Sequence, residues 1–422
     1  MGKVKIFFRK IPRAGIYLGL GALTAALFKV LFTKLKKGEK TTALENKLSE
    51  HFGVKYTILL PRARTALFYL LKNLNLLEGS EVIMTPLTIA DIANAVRWAK
   101  LKPVFCDLGE NTYNIDYQKI EELITPKTKV LLVTHLNGLA SDMNKILEIV
   151  KKHNLTLIED ASQAFNAEYK GKMLGTFGTA GIFSLSFLKT FCTLFGGALV
   201  LNDSALAVKI RQESANLPHP PKMMLIKEIL KNMVLAIVSN RTIFSLKTYY
   251  FIKLSYATKS NFVNKFIKSN PKPTLTDSPS QKYLYSYTDA QAQIGLKILS
   301  TVRLSDKKRI ENASYLIDSL SEKAKSKLPR TLKEAGNTFW RLPIQIDESE
   351  KFKKYLFRNY VDCAPTNLVL ISEEPTFAKY SNFTPQARRA YEAIFIPVHS
   401  SFSKKDMLYM AKLLNNYFSL KE

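Results

Sequence analysis

Residues 155–164 read Leu155-Thr156-Leu157-Ile158-Glu159-Asp160-Ala161-Ser162-Gln163-Ala164, and residues 181–190 read Gly181-Ile182-Phe183-Ser184-Leu185-Ser186-Phe187-Leu188-Lys189-Thr190. Each is a short apolar run that ends in chemically capable side chains. The pattern predicts a strand over Thr156–Glu159 that delivers Asp160 into a loop of small residues. It predicts a second strand over Gly181–Ser184, with Lys189 five residues beyond Ser184. Gly196-Gly197 and another apolar run, Ala198–Leu201, follow. Alone, Asp160 reads as a helix N-cap and Lys189 as a solvated loop lysine. In an open parallel sheet, however, ligands sit beyond the carboxyl ends of the strands. A carboxylate and a lysine that leave consecutive strands then share one edge.

The rest of the chain supports such a sheet. Further strands are expected at Thr57–Leu60, Glu81–Thr85, Pro103–Cys106 and Val130–Thr134, making seven in all. Helical patterns fall between the earlier ones, at Thr65–Leu74, Ile89–Ala99, Tyr117–Ile124 and Met143–His153. Strand and helix alternating every 25–30 residues or so mean βαβ units and a largely parallel seven-stranded α/β sheet. A helix with Leu44, Leu48 and Phe52 on one face precedes them, with Thr41 or Thr42 as its cap and Gly53 as its stop. The tail differs: helices at Asp289–Thr301, Asp306–Leu328 and Lys404–Tyr417, and strands at Trp340–Ile346 and Ala393–Val398, make a smaller α+β domain. The expected organisation is a basic apolar segment over 1–40, a large domain over 41–205, a basic, apolar helical insertion over 206–282 and a small C-terminal domain over 283–422.

The 422 residues carry 62 Lys+Arg against 35 Asp+Glu, a net charge of +27. Residues 1–40 hold ten basic residues against Glu39, and residues 217–283 hold eleven against Glu228 and Asp277. Two thirds of the excess therefore lies in about a quarter of the chain, and both segments are also apolar. Nucleic-acid-binding segments interleave basic with polar residues and glycine. Basic with apolar and aromatic, as in Ile243–Tyr256, reads instead as the surface of an anionic membrane. The uncharged run Ala14–Phe28, extended to Phe32 if Lys29 snorkels, is borderline for a span and fits a helix that lies on or enters a bilayer. A signal peptide and a helix packed on the protein itself are the other readings of that run. A lid or dimer contact is the alternative for the insertion, which closes with the Pro-rich connector Asn270–Ser280. The expected location is the cytoplasmic face of the plasma membrane. The three cysteines and five histidines do not cluster, so no metal site is expected.

A carboxylate beyond one strand and a lysine beyond the next is the pair that pyridoxal phosphate requires. The lysine attaches the cofactor, and the carboxylate keeps its ring nitrogen protonated so that the ring takes up carbanion charge. Here the chain resembles the DegT/StrS-type sugar aminotransferases, of fold type I among pyridoxal phosphate enzymes, closely over 41–205 and more loosely over 283–422. The resemblance rests on motifs in order: Glu78-Gly79-Ser80-Glu81-Val82-Ile83, Ala93-Asn94-Ala95-Val96, Asn111 to Asp116, His135-Leu136-Asn137-Gly138, Glu159 to Ala164, Ser184 to Lys189, Gly196-Gly197, Tyr287-Thr288-Asp289 and Pro397-Val398-His399. It implies that Lys189 attaches the cofactor, Asp160 pairs with its ring nitrogen, Gln163 meets its phenolic oxygen and Ser184 binds its phosphate. Related sugar dehydratases have histidine where Lys189 stands, so the lysine favours transamination. The resemblance also implies a homodimer.

The departures are specific. The phosphate loop appears as Arg62-Ala63-Arg64-Thr65-Ala66-Leu67, with Ala63 for glycine and Arg64 for threonine, so Arg64 is expected to bind phosphate as a charged donor or the loop to be reshaped. The ring-stacking aromatic appears as Ile89. Leu284 and Ser286 stand where the family has an asparagine and an arginine. The leading expectation is an aminotransferase that moves an amino group from an amino-acid donor such as glutamate to a keto sugar, nucleotide- or lipid-linked. A dehydratase or other pyridoxal phosphate reaction on a lipid precursor, and a non-catalytic membrane-bound scaffold, are the alternatives. Nucleic-acid binding is a distant fourth.

Overall fold

The computed structural model describes residues 10–13, 15–257 and 273–419. The first nine residues of the basic N-terminal segment, Ala14, and residues 258–272, where the Pro-rich connector begins, lie outside the described residues. In chain order the main elements are α1 (Leu20–Phe32), α2 (Glu39–Phe52), β1 (Tyr56–Leu60), α3 (Ala63–Asn73), β2 (Glu81–Met84), α4 (Ala90–Trp98), β3 (Lys102–Phe105), β4 (Thr128–Thr134), α5 (Met143–Lys152), β5 (Thr156–Asp160), β6 (Ala180–Ser184), β7 (Gly197–Leu201) and α6 (Ser204–Ala215). There follow α7 (Lys222–Ser239), α8 (Tyr249–Ala257), α9 (Asp289–Leu299), α10 (Val302–Asp318), β8 (Leu342–Ile344), β9 (Ala364–Pro365), β10 (Ile394–Ile396) and α11 (Lys404–Ser419).

The seven expected strands form one sheet in the order β1-β7-β6-β5-β4-β2-β3. The pairs β6–β5, β5–β4, β4–β2 and β2–β3 are parallel, while β7 runs antiparallel to both its neighbours. Only β7 is therefore reversed, and the carboxyl ends of the other six strands share one edge. Side chains alternate across the sheet, so its two faces build two cores. Ile83, Leu131, Val133, Leu157 and Phe183 face one, under α2, α5 and α9. Val82, Met84, Leu132, Ile158 and Ile182 face the other, under α3, α4 and α6. A third core joins β8 and β10 to α10 and α11 in the small domain. The architecture is α/β with a mostly parallel seven-stranded sheet.

Glu159 pins the central strands. It is fully buried, and its carboxylate accepts from the backbone N–H of Gly175 (2.8 Å), Phe177 (2.6 Å) and Gly178 (2.9 Å), while His135 Nε2 lies 3.1 Å away. The turn that feeds β6 is thereby tied to β5, in the register that sets Asp160 beside Ile182.

Several local expectations are corrected. The cap of α2 is neither Thr41 nor Thr42: Asp289, from α9, accepts from Gly38 N (3.0 Å) and Thr41 N (2.9 Å). Gly53 does end that helix, at φ 66°. The segment expected as one helix over 306–328 starts at Val302, stops at Asp318 and resumes as the short turn Glu322–Lys325, capped by Ser321. The described part of the apolar run, residues 15–32, is helical only from Leu20, after Gly19, and buries Leu23, Ala26 and Val30 against the protein. Upstream of it, Ile11 bridges to Val361, and Arg13 donates to both carboxylate oxygens of Asp362 at 2.8 Å.

Glu159→Ala removes the acceptor of three backbone N–H groups in and beside the core. An orphaned buried group costs about 1–3 kcal/mol, so the variant is expected to lose at least about 3 kcal/mol, read as a lower denaturant midpoint.

Candidate active site

The residues expected to bind the cofactor lie at or beyond the carboxyl edge of the sheet. Arg62 to Thr65 follow β1, Ile89 follows β2, Asp160 to Gln163 end and follow β5, and Ser184 and Lys189 end and follow β6. Asp160 is buried and its Oδ1 accepts from Ser162 N at 2.9 Å. The Oγ of Ser162, next to it, is buried without a hydrogen-bond partner. Gln163 Oε1 accepts from Asn137 N at 2.8 Å, beyond β4. Ile89 caps the start of α4. Leu284 follows a short helical turn, and Ser286 Oγ lies 2.8 Å from His219 Nδ1.

Lys189 sits in a tight loop. Its N–H bonds Ser186 O at 3.1 Å, and the preceding Leu188 adopts φ 67°, a left-handed conformation that costs a non-glycine residue about 1–3 kcal/mol. Trp340 Nε1 donates to Leu188 O at 2.9 Å, and Lys189 Nζ lies 4.0 Å from the centre of the Trp340 ring. The strained loop is thus held from the small domain. Burial lowers the Lys189 pKa to about 7, with the Asp160 carboxylate opposing and Arg341 reinforcing the shift. An amine half neutral near pH 7 is far more nucleophilic than an ordinary lysine.

Trp340 and Arg341 were legible only as part of an expected strand. They reach the site because Gly138, at φ 78°, packs against them: a Cβ there would lie 2.6 Å from Thr338 Oγ1 and 2.9 Å from Trp340 N. Thr338 N bonds Gly138 O at 2.9 Å across this contact. The Arg341 guanidinium lies 4.4 Å from the Trp340 ring and donates to Asn367 Oδ1 at 3.1 Å. It pairs with no carboxylate among the described residues, and burial lowers its pKa to about 10.

The other pole is the N-terminus of α3. β7 begins directly beneath it: a Cβ on Gly197 would come within 2.3 Å of the Arg62 carbonyl carbon and 2.4 Å of Ala63 N. Arg62 lies 4.1 Å from the Phe195 ring, and its pKa is lowered to about 10 by burial and then by Arg64. Arg64 is not idle: it pairs with Asp91 and donates to Tyr283 Oη at 3.0 Å, while Thr65 Oγ1 bonds Tyr283 O at 2.9 Å. A phosphate would have to compete with Asp91 for Arg64. The free N–H groups of a helix N-terminus and Arg62 make the stronger anion site here.

The donor set suits pyridoxal phosphate. Lys189, Arg62 and Arg341 are each held below their ordinary pKa, chiefly by burial, along an edge where Asp160 is the acid acting on Lys189. A polyanionic ligand relieves such a cluster. Asp160 and the unpartnered Ser162 hydroxyl supply acceptors and a donor in the same place.

The family model for the DegT/DnrJ/EryC1/StrS aminotransferases matches residues 23–219 and 273–415. The match takes in most of α1 and leaves out 220–272, the part of the insertion that holds α7 and α8. The spore coat polysaccharide biosynthesis protein SpsC of Bacillus subtilis is 38% identical over 177 residues, 42% of this chain and 46% of that protein. GDP-perosamine synthase of Caulobacter vibrioides is 38% identical over 174 residues, 41% and 47% of the two chains. These matches span about half the length of the curated relatives. An uncharacterized protein of Methanocaldococcus jannaschii is 27% identical over 383 residues, 88% of each chain. Among solved structures, Helicobacter pylori PseC, an aminotransferase involved in the biosynthesis of pseudoaminic acid, superposes with a TM-score of 0.74 over 97% of this chain and 100% of that one. Its identity is 20%, so the likeness is one of fold.

Because attachment of the cofactor needs the neutral amine, loading of the cofactor-free protein with pyridoxal phosphate should slow as pH falls through about 7, where Lys189 takes up its proton. Arg341→Gln removes a nearby cation, raises the Lys189 pKa and should move that midpoint to higher pH. Stopped-flow absorbance across pH checks both.

Proposed function

The chain belongs to the DegT/DnrJ/EryC1/StrS aminotransferase family, and from that premise we propose that it is a pyridoxal phosphate-dependent sugar aminotransferase. It moves an amino group from an amino acid, glutamate, to a keto sugar carried on a nucleotide or a lipid, in the making of cell-envelope polysaccharide or glycolipid. It works as a homodimer. The observation that carries the reading is the desolvated Lys189 amine with Asp160 in its field, on neighbouring strands of one sheet edge. The names of relatives such as GDP-perosamine synthase and SpsC support a sugar acceptor.

When bound, pyridoxal phosphate supplies an electron sink for the carbon that gains or loses the amine. Lys189 provides the amine that attaches it and a base that moves a proton at the substrate carbon. Asp160 would hold a proton at the ring nitrogen, Gln163 would meet the phenolic oxygen, and Ser184 with the backbone N–H groups of Ala63, Arg64 and Thr65 would hold the phosphate, the Thr65 hydroxyl being already given to Tyr283 O. Ile89 would stand against the ring as an aliphatic wall where the family has an aromatic. Arg341, a half-buried cation that pairs with no carboxylate among the described residues, receives the carboxylate of the amino donor.

Lys189→Ala is expected to abolish turnover and the visible absorbance that borohydride bleaches as it fixes the cofactor to the Lys189 peptide, while still binding cofactor non-covalently; full activity would exclude the assignment. Asp160→Asn should keep the fold and lower kcat by several orders of magnitude. Arg341→Gln should raise the KM for glutamate by roughly ten- to a hundredfold, the value of about 1.5–3 kcal/mol for a charge-assisted bond, and leave the KM for the sugar nearly unchanged. Initial-rate kinetics with each substrate varied in turn separate these outcomes.

A further inference from the structure

Helix α7 is apolar on two faces. Leu225 and Ile229 are buried in the sheet's core, and the partly buried Met233 and Ala236 pack beside them. On its other side Met223, Leu230, Val234 and Ile237 are 40–57% exposed. Apolar side chains on two faces of a helix call for apolar partners on both, and among the described residues only one of these faces has protein against it. Among the described residues, eighteen large apolar side chains are exposed, and thirteen of them lie on α1 or between Lys222 and Tyr256. The exposed surface is therefore not scattered. Helix α1 packs on α7, with Lys222 Nζ bonding Leu31 O at 3.0 Å, and adds Phe28, Leu31 and Phe32. Phe28 and Phe32 stack at 6.2 Å.

The hairpin that presents this surface is firmly built. Asn240 breaks the helix and its Oδ1 caps the next turn at Thr242 N (3.1 Å); a wide turn over Phe244–Thr248 leads into α8. Arg241 donates to both oxygens of the buried Asp406 at 2.7 and 2.6 Å, anchoring the bend to the small domain. Lys10 reaches Ser245 O at 2.7 Å and lies 4.3 Å from the Tyr250 ring. The two arms meet at 61°, and no single helix among the described residues is long and apolar enough to cross a bilayer.

We propose that this face, α1 with the α7–α8 hairpin, docks the enzyme on an anionic lipid bilayer, lying in its interface on the cytoplasmic side without crossing it. The charge decides between a bilayer and a second copy of this chain. Lys222, Lys227, Lys231, Lys247 and Lys253 stand against Glu228 alone in the hairpin, Arg241 being matched by Asp406, and Lys29 in the last turn of α1 is followed by Lys34 and Lys36. Two such faces repel each other, while an anionic leaflet attracts both the lysines and the apolar side chains between them. Tyr250 and Tyr256, half exposed beside Lys247 and Lys253, suit the headgroup level. Lys231 Nζ also lies 5.8 Å from the Phe187 ring, two residues before Lys189. The docked face thus adjoins the loop of the candidate site.

The docking stands apart from the catalytic reading, because it is measured without substrate. Flotation of the cofactor-loaded, full-length protein with vesicles of phosphatidylcholine plus one third phosphatidylglycerol should recover it with the lipid. Phosphatidylcholine alone should bind at least tenfold less. L230E/V234E, at two exposed positions, should release the protein from anionic vesicles while keeping its cofactor absorbance and melting temperature. Should that variant fail to fold, K247E/K253E, both exposed, should weaken binding about tenfold or more. A protein that stays soluble with anionic vesicles, or that floats as well with L230E/V234E and K247E/K253E as without them, overturns the proposal.

Discussion

The parallel pairing of β5 with β6 is the constraint on which the rest depends. Register there places Asp160 opposite Ile182, so the carboxylate and the loop that starts at Ser184 leave the sheet side by side. Glu159 enforces that register through three backbone donors in the turn before β6. Because side chains alternate along a strand, one of two adjacent acids is committed to the scaffold and the other is turned toward the ligand edge. Reversal of β7 then brings Gly197 back to the same edge, beneath the first turn of α3, and closes the anion pole of the site.

Electrostatics along this edge are deliberately unbalanced. Arg62, Lys189 and Arg341 are all pushed toward their neutral forms by burial, and the pairs Arg62–Arg64 and Lys189–Arg341 push further. Asp160 beside Lys189 and Glu228 near Arg62 offset only part of this, and partly buried cations in excess over acids suit a ligand that supplies the missing negative charge. Arg64 is the exception: Asp91 and Tyr283 already occupy it. The altered phosphate loop is therefore a repacked one in which Arg64 ties α3 to α4 and to the segment after the insertion, while Arg62 and the helix terminus face the site.

The periphery is held by a few ion pairs that join distant parts of the chain. Arg13 to Asp362 and Arg241 to Asp406 bind the N-terminal segment and the insertion to the small domain. These partners are buried carboxylates gripped by two guanidinium nitrogens each, the geometry in which an arginine pair positions as well as attracts. The apolar helices they hold in place keep one face in the core and offer the other to the outside.

Strand existence, the parallel sheet and the placing of Asp160, Ser184 and Lys189 at or beyond strand ends were legible from local pattern: apolar runs of four to seven residues with polar ends, repeated at βαβ spacing; the roles expected of these residues and of Gln163 came from the family resemblance. Helix ends were less so, because α2 takes its cap from Asp289, some 250 residues away, and no local window contains that donor–acceptor pair. The roles of Trp340 and Arg341 were out of reach for the same reason. They arrive through the close approach of Thr338 and Trp340 to Gly138, a contact between domains, and a lysine pKa near 7 exists only once those groups exclude water from it. Composition alone marked the N-terminal and central segments as basic and apolar. Which of their apolar side chains are buried and which exposed was decided only by tertiary packing, since Leu230, Val234 and Ile237 recur at the same helical spacing as the buried Ile229.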